Sequence, residues 1–93
     1  MNQIRSLIKG ELSVLDIGLN WTDWLGSGVI TLSEWTADPE IAISNRQADA
    51  TSTSCYISGG LQGNKYRIFN KITTNKGLVE SRYITISIGD VSV

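Results

Sequence analysis

Histidine is absent from this 93-residue chain, cysteine and proline occur once each, as Cys55 and Pro39, and acidic and basic residues nearly cancel, 9 against 8. Each shortage removes a class of function. Without histidine there is no Ser-His-Asp triad and no Cys-His dyad, and a lone cysteine supplies neither a zinc cluster nor a disulfide framework. The balanced charge lacks the basic footprint with which nucleic-acid binders release counterions from phosphates, so neither DNA nor RNA is an expected partner. The apolar stretch 1–19 is broken by Arg5, Lys9, Glu11 and Asp16, well short of about 18 clean apolar residues. Neither a membrane-spanning helix nor a secretory leader is therefore expected. The chain should work where it is made, or be carried out in an assembly. Internal repeats and low-complexity tracts are missing too.

What is present reads as one small domain, since a second would need about 50 residues of its own. From about residue 12 onward, Ile, Val, Thr, Trp and Tyr come in short runs separated by Gly, Ser, Asn and Asp clusters, which is an all-β pattern. Strands are predicted at 12–19, 29–36, around Ile41 and Ile43, at 53–58, at 65–74, and through Ile84, Ile86 and Ile88. Polar loops are predicted at 20–28 and 45–52. Along 65–74, Tyr66, Ile68 and Ile72 share one parity and Lys65, Arg67 and Lys71 the other, a half-buried strand with a wet outer face. Six or seven antiparallel strands on this length bury their apolar faces best as a two-sheet sandwich. Trp35 and Ile30 fall on opposite parities, which calls for a bulge near Ser33 and Glu34, or for one of the two to face outward.

Residues 1–9 stand apart. Ile4, Leu7 and Ile8 have helical spacing with Arg5 and Lys9 opposite, but one or two turns of helix do not hold alone. The segment is either a frayed terminus or an arm that orders against a neighbouring subunit. The chain thus divides into an arm, 1–10, and a sandwich domain, 11–93.

Chemistry-bearing constellations are few. Asp16, Asp23, Glu34, Asp38, Glu40 and Asp49 occupy turns and outer faces, where carboxylates cap turns rather than pair for catalysis. The Asp23 to Gly28 turn has too few acidic ligands for a calcium loop. No catalytic residue, metal site or cofactor is expected. Trp21 and Trp35 should fill the core, whereas Trp24, beside Leu25 in a loop, is the candidate surface anchor. Cys55 lies on the apolar parity of its strand and reads as a small buried hydrophobe. Gly59-Gly60-Leu61-Gln62-Gly63 leads into a strand, not a helix, so it is no phosphate cradle. It forms a tight corner before Tyr66, whose hydroxyl can tie back to loop backbone.

Leu15-Asp16-Ile17, Asn20-Trp21-Thr22-Asp23-Trp24-Leu25-Gly26, Ile30 with Trp35, Tyr56-Ile57-Ser58-Gly59-Gly60, Gly63 with Tyr66, Ile72-Thr73-Thr74 with Gly77, and Ile84-Thr85-Ile86 together resemble a known pattern. It is that of the small immunoglobulin-like virion proteins of tailed bacteriophages, in the group described as fibre-to-tail adaptors. The resemblance covers residues 11 to 88. Gly10-Glu11-Leu12 replaces an acidic or Pro-containing stretch, and Leu78 stands where an Arg is expected; both departures fall at edges and loops. The resemblance implies an immunoglobulin-like β-sandwich and a non-enzymatic structural subunit of the virion. Its implied partners are tail or neck components and a fibre, met within a symmetric oligomer. Candidate contacts are Ile4, Leu7 and Ile8 of the arm, Trp24 and Leu25, and the end of the last strand with residues 90–93. Two alternatives stay open: a capsid cement protein bound to the major capsid protein, and a carbohydrate-binding module built on Trp24 or Tyr56.

Overall fold

The computed structural model describes residues 2–10 and 12–89, with backbone alone for 2–6. Period-two alternation decides its layering. In β6 (Lys65–Thr74), Tyr66, Ile68, Asn70, Ile72 and Thr74 are buried while Lys65, Arg67 and Lys71 face solvent. The same alternation buries Ile84, Ile86 and Ile88 in β7 (Val79–Ile88) and Thr53, Cys55 and Ile57 in β5 (Ser52–Gly59). Ile17 and Leu19 do the same in β2 (Leu15–Asn20). With β1 (Asn2–Lys9), β3 (Ile30–Ala37) and β4 (Ile41–Ala48), seven strands form among the described residues, joined by one four-residue helix, α1 (Thr22–Leu25).

They make two sheets, ordered β1-β7-β6-β3 and β2-β5-β4, whose inner faces enclose one apolar cluster with Trp21, Trp35 and the isoleucines at its centre. Each fully buried isoleucine contributes about 1.5–3 kcal/mol against exposure. The chain is therefore all-β and sandwich-packed. Every strand pair is antiparallel except β1 with β7, which is parallel.

Four features depart from the sequence reading. Residues 2–9 do not form helical turns: β1 pairs along β7, with Leu7 beside Ile86 and Ile8 beside Ser87. The edge of β7 offers unpaired backbone groups, and satisfying them outweighs a helical period only nine residues long. The stretch 45–52 is not a loop throughout, because β4 runs on to Ala48 past a register shift between Ser44 and Gln47 and a left-handed Asn45, φ 49°. An edge strand pairs through its backbone, so its polar side chains remain in water. The first sandwich strand starts at Leu15, leaving Leu12 and Val14 exposed in the link before it. The conflict between Ile30 and Trp35 is settled by a register shift at Thr31, upstream of the expected Ser33 and Glu34.

Candidate partner-binding surface

The turn after β2 is built by Asn20, whose Oδ1 accepts from the Thr22 backbone N–H (2.9 Å) and hydroxyl (2.6 Å) and so starts α1. That single helical turn folds Leu25 inward, at 8% exposure, into the core cluster. Leu25 therefore packs into the core, which leaves little of its side chain for a partner. Trp24 is half-buried, its ring 5.7 Å from that of Trp21 in an edge-on arrangement. Trp21 is fully buried and carries the Arg82 guanidinium 4.4 Å above its ring. The Trp21 indole donates to Asn70 Oδ1 (3.1 Å), which also accepts from the Thr53 hydroxyl (2.7 Å). Asn70 Nδ2 in turn donates to Ser33 Oγ (3.0 Å) and the Glu34 carbonyl (3.1 Å). Trp35 is in the core as expected, and its Nε1 is the one buried side-chain polar atom without a partner among the described residues.

At the opposite end, the expected corner is present. Tyr66 is buried, and its hydroxyl accepts from the Leu61 backbone N–H (3.0 Å) and donates to Glu40 Oε1 (2.5 Å). Gly59 sits at φ 88°, where a β-carbon would lie 2.6 Å from the Glu40 carbonyl oxygen; Gly60 sits at φ 93°, against Ile88. The arm residues separate. Ile4 lies outside the described side chains, Leu7 packs against the core, and Ile8 is 68% exposed. Lys9, nearly fully buried, donates to the carbonyls of Gly10 (2.8 Å) and Gly59 (2.9 Å), clasping β1 to the end of β5. Residues 90–93 lie outside the described residues.

One surface was missed by sequence reasoning: the outer face of the β1-β7-β6-β3 sheet. Phe69 and Tyr83 are cross-strand partners there, with ring centroids 5.4 Å apart, and Arg67 stands 5.3 Å above the Tyr83 ring. An open hollow of about 520 Å³ borders the pair on the side of Lys65 and Arg67, and a second of about 400 Å³ borders Phe69 on the side of Lys71 and Glu34. The signal available was an aromatic residue between Arg67 and Lys71 on a parity whose other residues from 65 to 71 are cations.

The titratable groups show structural roles. Asp49 accepts from the Thr51 and Ser52 backbone N–H groups and the Ser52 hydroxyl, which hold its carboxyl below the usual value. Burial pushes the Cys55 thiol up to about 12, so at neutral pH it is a protonated filler. Among the described residues, no group of three or more His, Cys, Asp or Glu side chains is arranged to hold a metal ion. No helix among them is long and apolar enough to cross a membrane.

No curated protein matches the chain. The model of the family described as podophage GP4 fiber-tail adaptor protein gp77 matches residues 9–87. That span takes in β2 through β6 whole and all but the last residue of β7, so it coincides with the sandwich that builds both ends and the aromatic face, and the chain belongs to this podophage fiber-tail adaptor family.

Proposed function

We propose that this chain is a non-enzymatic virion subunit, made in the cytoplasm of the bacterial host, that joins a fibre to the tail or neck through protein-protein contacts within a symmetric oligomer. The observation that carries the reading is the adaptor-family match across residues 9–87. The fold suits the task physically. A sandwich whose two sheets are joined by buried hydrogen bonds transmits load without rearranging, and its outer faces and edges remain available for docking. Trp24 and Ile8 remain candidate contacts on this reading, together with the Phe69–Tyr83 face.

Quantitative mass spectrometry of purified particles tests it, by counting copies of this chain against the portal and the major capsid protein. A count near the portal's is the expected result. A count near the capsid protein's would replace the adaptor with a cement protein, and absence from particles would remove a virion role.

A further inference from the structure

We propose that the outer face of the β1-β7-β6-β3 sheet docks an acidic segment of another virion protein, one that lays an apolar side chain beside Phe69 and carboxylates over Lys65, Arg67 and Lys71. This rests on the adaptor reading and gives that reading a surface and a chemistry.

Alternate residues of a strand are about 6.7 Å apart on one face, so Lys65, Arg67, Phe69 and Lys71 form a row about 20 Å long. The row lies on an interior strand of the sheet, between β7 and β3. None of the three cations is ion-paired or hydrogen-bonded among the described residues; Arg67 has only the Tyr83 ring. The acidic residues of this face, Glu34 on β3 and Asp38 just past its end, flank the row from one side. Glu34 stands directly across from Lys71 in the β3–β6 ladder and Asp38 borders the hollow beside Lys65 and Arg67, but neither closes an ion pair with the row. An incoming carboxylate would therefore meet cations that still lack a direct carboxylate partner. Phe69 and Tyr83 supply the apolar centre that such a polar contact needs, with a hollow on either side of Phe69 to receive side chains. The outer face of the other sheet offers less. Its outward residues include Asp16, Gly18, Ala42, Ser44, Gln47, Ser54, Tyr56 and Ser58, mostly small or uncharged, with Arg46 exposed at the β4 register shift.

Two experiments on intact particles test the proposal. Zero-length carbodiimide coupling followed by mass spectrometry should join Lys65 and Lys71 to aspartate or glutamate side chains of a different virion protein. Charge reversal, K65E with K71E, and separately Phe69→Ala, should each lower this chain's copies per particle by about tenfold or more. The isolated domain should still fold, since these side chains project from the face away from the core. K71E sets a second carboxylate opposite Glu34 and Phe69→Ala loses the Tyr83 ring contact, so incorporation should fall beyond what each variant's own melting temperature explains. Normal incorporation of both variants, or coupling confined to Glu34 and Asp38 of the same chain, would overturn the docking surface while leaving the adaptor reading intact. So would protection of both lysines without any protein cross-link, which would point to an anionic polysaccharide. Absence of the chain from particles would overturn the adaptor reading and the docking surface together.

Discussion

Replacing Asn70 by alanine should cost this domain about 3–5 kcal/mol, a large share of the roughly 5–14 kcal/mol available to a chain of this length. Asn70 is fully buried on β6, between Ile68 and Ile72, and all four of its amide hydrogen-bonding positions are used. Ser33 and Glu34 lie where water can replace the lost amide donor, so their share of the cost is small. Thr53 belongs to the opposite sheet, Trp21 directly follows a strand of that sheet, and both are themselves buried, so each would lose its partner with no water to take its place. An orphaned buried donor costs about 1–3 kcal/mol, and the small cavity left by the amide adds to two such terms. Urea unfolding measures the difference, and the melting temperature should drop by 12 °C or more, at about 4 °C or more per kcal/mol for a domain of this size. Trp21→Phe and the double variant complete a cycle whose coupling should be about 1–2 kcal/mol. A cost for Asn70→Ala under about 1 kcal/mol, or strict additivity in the cycle, would refute the claim that this amide joins the two sheets.

Trp35 provides the converse case. Because its Nε1 is buried without a partner, Trp35→Phe removes an unmade hydrogen bond along with apolar area, and urea unfolding should place it within about 1 kcal/mol of the parent, against about 2–3 kcal/mol lost by Trp21→Phe. At the corner, Gly59→Ala drives a β-carbon onto the Glu40 carbonyl oxygen, whereas Gly60→Ala meets the tip of the Ile88 side chain; the first should cost about 2–4 kcal/mol and the second about half as much by thermal melting. Cys55, buried and held as the thiol, should react with iodoacetamide only as fast as the domain opens, so labelling at neutral pH should accelerate in step with added urea.

How much of this was legible in the sequence depended on whether the deciding information was local. The strand 65–74 was readable to its bounds because ten residues of clean alternation leave no other period. The core roles of the last three isoleucines followed from parity, those of Trp21 and Trp35 from the large side chains a small sandwich needs at its centre, and the tie at Tyr66 from the glycines before it. β1 was not legible, since its pairing partner lies about eighty residues further along the chain and the free edge it fills is a property of the folded sheet. The core packing of Leu25 was not legible for a similar reason: a turn-rich segment suggests a solvent-facing loop, and only the helical turn started by Asn20 shows that it folds inward. Asn70 sat on the buried parity in plain view, but an amide between isoleucines declares itself only when its four partners, contributed by other elements, are known.

The division of labour along β6 leads to a test that separates folding from docking within a single strand. Its inward residues Tyr66, Ile68, Asn70 and Ile72 hold the corner, the core and the tie between sheets. Its outward residues Lys65, Arg67 and Lys71 carry charge that closes no ion pair and Phe69 a half-buried ring against Tyr83, and truncating the three cations costs little stability because water already reaches them. Alanine substitution at successive positions from 65 to 72 should then give phenotypes that alternate residue by residue. Inward positions lower the melting temperature, by about 8 °C or more for each isoleucine, as expected for about 2–5 kcal/mol per truncation. The outward cations leave melting within about 2 °C, Phe69 lowers it by a few degrees through the lost Tyr83 contact, and all four reduce incorporation into particles beyond what melting accounts for. A scan in which incorporation simply tracks melting temperature would mean that the outward row has no function beyond solubility, and the docking surface would have to be sought at the ends of the sandwich, near Trp24 or Ile8.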